Sequence, residues 1–432
     1  MKKQTQIPDE KSFYRLPFEK GTFELTEKTL NLNSQFRKPD YYYRIQTRNI
    51  NFLNEILILA VLIKDEPEQL IFLKVTQYEL LVCCNVDTDA AYLSRFAYFG
   101  LLSLMDYSSS VHLDEYYWPD FFDSNSGKSQ FLKIYNDRKG LDIELKTKYP
   151  HFYKPGDELI DWYKEAEMQD RNTPISIKLE DHPIKDTVLG YFLADTNLSS
   201  IHSNHYSFLV PFVGISTKDK RKVKSFSSFV FSESDLKTAD YATSSTQNKL
   251  IEISQKMLEL APVGPSYWRR PFCPDGEEKK NGNQLLELWH KAKNSLLSQH
   301  YIYYYYTHGL NYLKGKPMKN WICSYKIQKE QPHLIIKIID KGRYYQLELK
   351  FRVNRKTYSP ENQLIPFFIN ASTDKERLYL LNDFREFQLM LFFSYFGYRF
   401  AVLKAHYKDE IKDFIDGLAE RHPDPSSNSS KI

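Results

Sequence analysis

The sequence predicts a multi-domain α+β protein that is rich in strands, with antiparallel sheets, packed helices and a C-terminal β-meander followed by helices. The 432 residues are enough for about two to four domains. Hydrophobic residues make up 42% and charged residues 26%, which is typical of globular chains. Aromatic residues reach 15%, and large aromatic side chains favour strands. Runs that alternate between apolar and polar residues are followed by stretches of helical periodicity, which indicates sheets covered by helices.

The first part of the chain is predicted to form strands followed by one helix. Alternating or apolar runs, separated by the turn-like "DEPEQ", predict strands at 41–47, 56–64 and 70–84. Asp87 or Thr88 is expected to cap a helix that ends near Met105, because a side-chain oxygen there accepts hydrogen bonds from the first free amides. Residues 110–183 carry aromatic, acidic and turn residues without a clear periodicity.

Gly127-Lys128-Ser129 matches the last three letters of a nucleotide-binding P-loop. That motif requires a glycine five residues before the Gly-Lys pair, and Phe122 stands there. A strand before and a helix after the motif are also missing from the pattern, so a surface turn at 125–128 is predicted instead. Four nearby acids are interpreted as solvated loop residues in preference to a cation or acid-base site: Asp114, Glu115, Asp120 and Asp123.

The middle and last parts of the chain predict two further groups of elements. Strands are expected at 190–198, 205–215 and 225–231, then a helix at 247–260. The five tyrosines of 301–306 are placed on the continuation of a helix that begins near Gln284, packed between layers. The C-terminal elements predicted are a meander at 333–340, 344–353, 364–370 and 378–381, a helix at 383–396, a strand at 399–405 and a helix at 408–420.

These elements suggest a division of the chain. Pro, Gly and charged residues concentrate between 262 and 283, which marks the best boundary. The predicted division is an N-terminal α+β domain with an aromatic-acidic loop region (1–165), a middle β-rich segment (166–262), a linker (263–283), a C-terminal α+β domain (284–420) and a disordered tail (421–432).

Charge, cysteines and hydropathy exclude several classes of protein. The net charge is +4, from 59 basic and 55 acidic residues, so attraction to nucleic acid would come from local patches. The four cysteines form neither a metal knuckle nor a disulfide framework, which favours reduced thiols and a cytoplasmic location. The longest apolar run, "ILILAVLI", falls far short of the roughly 18 residues that a membrane helix needs, so no membrane association is expected.

A weak metal-site pattern occurs in "SIHSNHYSF". His202 and His205 have HxxH spacing, and Asp195 lies nearby, so the three could ligate a metal in a metal-dependent hydrolase. The pattern lies between strand-like runs and lacks the glutamate of the helical zinc motif, so ordinary loop histidines are preferred. No cofactor and no catalytic residue is predicted, and catalysis is not expected.

Basic clusters provide the clearest candidate binding residues. Their lysines and arginines would neutralise phosphates, while nearby Trp268 or tyrosines would stack on bases. The alternative is that they only keep loops and a strand edge soluble. The candidates are Lys218, Lys220, Arg221, Lys222, Lys224, Lys314, Lys316, Lys319, Lys350, Arg352 and Arg355.

Several longer segments resemble a known family. They are "KPDYYYRIQ", "KVTQYELLVCCNVDTDAAYLSRFAYFGLLSLMD", "YYWPDFFD", "GYFLADTNLSSIHSNHYSFLVPF" and "FAVLKAHYKDEIKDFIDGL". They are similar to the region upstream of the motor in large Swi/Snf-type helicases, of the DEAD/DEAH-box superfamily two, from Bacteroidetes-like bacteria. The resemblance implies an accessory module that engages DNA or a partner. The motor's phosphate loop and acidic magnesium motif would follow downstream, and no position here matches them.

Three functional hypotheses follow from the sequence. The first is a non-catalytic accessory protein that contacts nucleic acid, with DNA expected, and associates with a helicase motor. The second is a protein-interaction scaffold that uses its aromatic surface. The third is the metal-dependent hydrolase around His202 and His205.

Overall fold

The structure is a computed structural model in which most of the chain is described. It describes residues 7–19, 22–36, 45–64, 66–86, 90–105, 108–124, 126–137, 140–160, 178–180, 186–195, 206–238, 241–261, 276–307, 309–361 and 364–424. The predicted class is confirmed, since the described residues form helices and several mostly antiparallel sheets in an α+β, β-rich arrangement. In these residues no helix is long and apolar enough to cross a membrane.

The chain divides into two compact units. Unit 1 comprises Met1–Glu158 and Ala401–Tyr407, and unit 2 comprises Leu159–Phe400 and Lys408–Ile432. The predicted linker at 263–283 lies within unit 2, and its last eight residues belong to a helix that begins at Gly276. The domain boundaries predicted from the sequence therefore differ from the boundaries of the two compact units. Whether the predicted domains fold separately stays a prediction.

Unit 1 is built around a five-stranded antiparallel sheet of order β1-β6-β5-β4-β3, with helix α2 packed on it. Apolar side chains of the central strands and of α2 form its hydrophobic core. Its elements are β1 (Tyr14–Pro17), β2 (Glu24–Thr26), α1 (Glu27–Leu32), β3 (Ile45–Leu53), β4 (Ile56–Ile63), β5 (Gln69–Val75), β6 (Glu79–Cys84), α2 (Arg95–Met105), β7 (Ser110–His112), β8 (Leu132–Asp137), β9 (Gly140–Leu145) and β10 (His151–Phe152).

Two predictions for unit 1 were wrong in detail. The single strand predicted at 70–84 is a hairpin, because Thr76 closes a turn in which its hydroxyl accepts a hydrogen bond from the Glu79 amide at 3.2 Å. Helix α2 does not start near Asp87 or Thr88, which lie outside the described residues. It starts at Arg95, where the Ser94 hydroxyl accepts a hydrogen bond from the Ala97 amide at 3.1 Å.

Unit 2 contains a five-stranded sheet of order β13-β12-β11-β14-β15, a three-stranded sheet of order β16-β21-β20, and the neighbouring strands β17, β18 and β19 of a further sheet. β22 runs across the division between the units. The elements are β11 (Thr187–Asp195), β12 (Phe208–Ser216), β13 (Val223–Phe229), α3 (Glu233–Thr238), α4 (Ser245–Leu260), α5 (Gly276–Leu297), β14 (Ile302–Tyr306), β15 (Ile322–Cys323), β16 (Lys326–Ile327), β17 (His333–Asp340), β18 (Tyr344–Val353), β19 (Lys356–Tyr358), β20 (Phe368–Ala371), β21 (Asp374–Leu380), α6 (Phe384–Tyr395), β22 (Arg399–Leu403) and α7 (Asp409–Arg421).

Two helices of unit 2, α4 and α5, are attached to the five-stranded sheet by hydrogen bonds. Ser244 and Gln247 form a reciprocal capping box at the start of α4. The Ser254 hydroxyl of α4 donates to the Leu209 carbonyl at 2.8 Å, and the Trp289 indole of α5 donates to the Ser207 carbonyl at 2.8 Å. The backbone at the start of β12 is thereby bonded to both helices.

The tyrosine-rich run forms a strand and not the predicted continuation of a helix. β14 pairs in parallel with β11, with Phe192 opposite Tyr303 and Ala194 opposite Tyr305. Aromatic side chains favour strands, and this pairing satisfies the backbone of the run. Alternation therefore places Tyr303 and Tyr305 on one face of the sheet and Tyr304 on the other.

The predicted C-terminal meander is divided between two sheets. β17, β18 and β19 form antiparallel neighbours, whereas β20 pairs with β21 and β21 pairs in parallel with β16. The helices predicted at 383–396 and 408–420 are confirmed as α6 and α7, and the Asp383 carboxylate caps α6 by accepting from the Glu386 amide at 2.9 Å.

Candidate nucleic-acid interface

The first basic cluster lies on the turn that joins β12 to β13. The Thr217 amide donates to the Lys222 carbonyl at 2.8 Å and the Lys220 amide donates to the Thr217 carbonyl at 2.8 Å, which closes the turn. The Asp219 carboxylate accepts from the Thr217 hydroxyl at 2.6 Å and from the Arg221 amide at 3.2 Å. These hydrogen bonds lower the pKa of Asp219 and fix the backbone that presents the cations.

Two tyrosines, Tyr303 on β14 and Tyr301 just before it, tether this turn. The Tyr301 hydroxyl donates to the Lys220 carbonyl at 2.8 Å, and the Tyr303 hydroxyl accepts from the Val223 amide at 3.0 Å. Burial raises the pKa of both phenols, so they remain neutral hydrogen-bonding groups. The turn is therefore fixed by side chains that lie 80 residues further along the chain.

The second basic cluster lies on the connection between β14 and β15. The Tyr305 hydroxyl accepts from the Met318 amide at 3.3 Å, and the Tyr305 ring packs against Trp321 with centroids 6.0 Å apart. Tyr305 is itself fully buried, and burial raises its pKa. The same strand that tethers the first cluster therefore tethers the second.

The tyrosines that hold the two clusters lie on one face of the five-stranded sheet. Tyr303 and Tyr305 are alternate residues of β14, and alternate residues of a strand lie on the same face about 7 Å apart. Behind them, Phe192 stacks on Phe212 with centroids 4.2 Å apart, and Phe192 contacts Tyr305 at 5.0 Å. We refer to residues 217–224 and 309–321 together as the two-loop surface.

The two-loop surface has a strong positive charge. Residues 217–224 contain five basic and one acidic side chain, and residues 309–321 contain three basic and no acidic side chains. Lys220 is half-buried. The exposed cations are Lys218, Arg221, Lys222, Lys224, Lys314, Lys316 and Lys319.

The third predicted basic group is not attached to this surface. Lys350 and Arg352 lie on β18, which belongs to a different sheet, and Arg355 follows in the β18–β19 turn. The Lys350 ammonium lies 3.4 Å from Glu348 and donates to the Ser359 hydroxyl at 2.9 Å. A neighbouring carboxylate neutralises part of this charge, so the hairpin is a weaker candidate for phosphate contact.

The described residues do not form the predicted metal site. His202 and His205 lie outside them. Asp195 is fully buried on β11, where its carboxylate accepts from the Tyr304 hydroxyl at 2.8 Å. Among the described residues, no group of three or more His, Cys, Asp or Glu could hold a metal ion.

The Gly-Lys-Ser segment of unit 1 forms the predicted turn. The Gly127 amide donates to the Asp123 carbonyl at 2.8 Å, so it does not face outward to a phosphate. The Ser129 hydroxyl donates to the Phe121 carbonyl at 2.7 Å and accepts from the Phe131 amide at 3.2 Å. The Gly127 amide and the Ser129 hydroxyl are therefore used in hydrogen bonds that stabilise the loop itself.

The nearby acids and aromatics of unit 1 also make structural contacts. The buried His406 side chain donates from Nε2 to the Asp120 carboxylate at 3.1 Å, and burial lowers the pKa of this histidine. The Lys154 ammonium lies 3.7 Å from the Trp118 ring centroid, and burial lowers its pKa to about 8. With His406 enclosed, this cluster offers no exposed acid-base pair.

The tethering tyrosines are the part of the candidate interface that the sequence analysis missed. Five tyrosines in six residues were a strand signal, and alternation would have put three of them on one face. Their partners are backbone groups far away in sequence, which no local pattern reveals. No protein-family model, curated protein or solved structure matches this chain.

Proposed function

We propose that this protein binds nucleic acid, with DNA the expected partner, through the two-loop surface. The observation that carries the proposal is the attachment of two basic loops to Tyr303 and Tyr305, which are alternate residues of β14. Seven exposed cations on two loops that are bonded to one face of the sheet would neutralise several phosphates at once and release their counterions. A loop whose backbone is already fixed by tyrosine side chains also loses less conformational entropy on binding than a mobile loop would.

The proposed role is that of an accessory module. The chain would provide grip on the nucleic-acid backbone, and the chemistry would be supplied by another protein. Association with a helicase motor stays a prediction from the family resemblance described above.

A charge-reversal experiment tests this function. Lys218, Arg221 and Lys222 are changed together to glutamate, and binding of a labelled oligonucleotide is measured by fluorescence anisotropy at low ionic strength. We expect a loss of affinity of at least tenfold, because each exposed cation contributes favourable contact with phosphate. Wild-type protein that fails to bind, or a variant that binds equally well, would reject the proposal.

A matched control separates a local effect from the change in net charge. Lys249 and Lys256 of α4 and Lys291 of α5 are also exposed, and their reversal changes the net charge by the same amount. We expect this control variant to retain most of the wild-type affinity. Equal losses in the two variants would point to the overall field of the protein instead of the two-loop surface.

A protein partner is the second candidate for the same surface. Ile215, just before the first loop, and Met318, within the second, are 43% and 54% exposed. Exposed apolar side chains beside charged ones are typical of protein interfaces. The two candidates differ in nuclease sensitivity. A complex isolated with the tagged protein that persists after nuclease treatment, and is lost on Met318→Asp, would favour the protein partner.

A further inference from the structure

Tyr312 is an exposed aromatic residue in the middle of the second basic loop. Its side chain is 56% exposed, and it is the last residue of a short 3-10 helix, Leu310–Tyr312. The Tyr312 amide donates to the Gly309 carbonyl at 3.1 Å, and the Gly309 amide donates to the Thr307 hydroxyl at 3.1 Å. Thr307 is fully buried, so the backbone below Tyr312 is anchored.

A row of rings supports Tyr312 from the interior. The Tyr312 ring meets Trp321 edge to face with centroids 6.0 Å apart, and Trp321 in turn contacts the buried Tyr305 at 6.0 Å. Tyr305 is the residue that tethers this loop through the Met318 amide. The exposed ring is therefore linked through Trp321 to the same buried tyrosine that bonds the backbone of the lysine-bearing loop.

The surroundings of Tyr312 match the two components of a strand-binding surface. Three exposed lysines, Lys314, Lys316 and Lys319, lie within seven residues of it and would contact phosphates. A rigid exposed ring gains free energy by stacking on another flat surface, and every unpaired base offers one. In a duplex the faces of the bases are already stacked on each other, so the ring would find no partner there.

From this arrangement we infer that the two-loop surface takes single-stranded nucleic acid, with Tyr312 stacking on an unpaired base while the loop lysines contact the flanking phosphates. This inference rests on the proposed function and makes it more specific. It predicts a preference for single strands that the charge of the surface alone would not produce, because duplex DNA has the higher charge density.

The test compares single strands and duplexes of the same length. Wild-type protein, Tyr312→Ala and Tyr312→Phe are titrated into labelled 12-nucleotide oligo-dT, oligo-U and duplex DNA. We expect Tyr312→Ala to weaken single-strand binding on the order of 5- to 100-fold, which corresponds to the stacking of about one base. Tyr312→Phe keeps the ring and should bind as wild type. Comparison of the two oligonucleotides shows whether DNA or RNA is preferred.

Tyr395→Ala is the matched control for removal of a surface ring. Tyr395 is 67% exposed at the end of α6, also in unit 2. We expect this variant to bind single strands as wild type does, and Tyr312→Ala to leave duplex binding unchanged. Equal losses in both alanine variants would contradict a specific role for Tyr312.

A second measurement needs no variant, and so excludes an effect of Tyr312→Ala on folding. An abasic strand of the same length carries the same phosphates but no bases. Wild-type protein should bind it on the order of 5- to 100-fold more weakly than oligo-dT. Equal affinity for the two strands would overturn the stacking inference, while loss of binding on loop charge reversal would still support the proposed function. Insensitivity to charge reversal would reject both.

Discussion

Ionisation of Glu386 is expected to destabilise unit 2 as the pH rises. This glutamate is 3% exposed at the start of α6, where its two carboxyl oxygens accept from the Asn382 amide at 2.8 Å and from the Asn382 side-chain amide at 2.9 Å. Burial, reinforced by the charge of Asp383, raises the pKa of Glu386 from 4.5 to about 7. We predict that Glu386→Gln increases stability at pH 8.

The expected magnitude follows from the two pKa values. An acid whose pKa is raised in the folded state holds its proton there while the unfolded chain has already released it. Stability therefore falls as the pH rises from 4.5 to about 7 and stays low above that, by about 3 kcal/mol in total. Glutamine removes this cost but loses one of the two hydrogen bonds, which is worth about 1 kcal/mol. The net gain should be about 2 kcal/mol at pH 8 and close to zero at pH 5.

Urea unfolding followed by tryptophan fluorescence measures this difference directly. Free energies of unfolding are compared for wild type and Glu386→Gln at pH 5 and pH 8. Glu259→Gln, which changes an exposed glutamate on α4, serves as the control and should behave as wild type at both pH values. A Glu386→Gln effect that is the same at pH 5 and pH 8 would refute the assignment of a raised pKa to the buried carboxyl group.

Three further predictions concern residues that stabilise unit 2. Burial lowers the pKa of His422 to about 4, so stability should fall by about 3 kcal/mol as the pH drops from 6.5 to 4, and His422→Gln should remove most of this loss in acid unfolding experiments. Gly190→Ala should cost about 1–3 kcal/mol because a Cβ would lie 2.8 Å from a neighbouring ring carbon and from a backbone oxygen. Gly276→Ala meets no atom within 4 Å and should melt as wild type does. Tyr303→Phe removes the acceptor of the Val223 amide, so hydrogen exchange of that turn should accelerate while the rest of β13 is unchanged.

Local sequence patterns were sufficient to predict the helices whose N-terminal caps are neighbouring residues. The helix predicted at 247–260 is α4, Ser245–Leu260, and its capping box consists of neighbouring residues. The helix at 383–396 is α6, Phe384–Tyr395, which Asp383 caps. In both cases the residues that start the helix and the buried residues of the helix itself lie within one short window of the sequence.

Non-local pairing explains the elements that were predicted wrongly. β14 is a strand because β11, more than a hundred residues earlier, offers it a parallel partner. Nothing within the tyrosine run identifies that partner, so its position after a helix suggested more helix. The divided meander has the same cause, since β21 pairs with the two-residue strand β16.

The candidate site shows the same contrast. The basic clusters could be recognised from composition alone, and both occur on exposed loops. Their attachment to alternate tyrosines depends on hydrogen bonds between a phenol and a backbone group, and such bonds leave no pattern in the sequence. The sequence alone could not show that the group of Lys350, Arg352 and Arg355 is a weaker candidate for phosphate contact than the two loops. That conclusion depends on the contact between Lys350 and Glu348.

The salt dependence of oligonucleotide binding tests the central claim most directly. The claim is that the two-loop surface binds phosphates with its seven exposed cations, so the logarithm of the affinity for a single strand should fall linearly with the logarithm of the salt concentration. A slope approaching about −5 is expected if all seven engage, at about −0.7 for each phosphate. Reversal of Lys218, Arg221 and Lys222 should make the slope shallower by about 2. A slope that is unchanged by the reversal, or an affinity that does not depend on salt, would contradict the account.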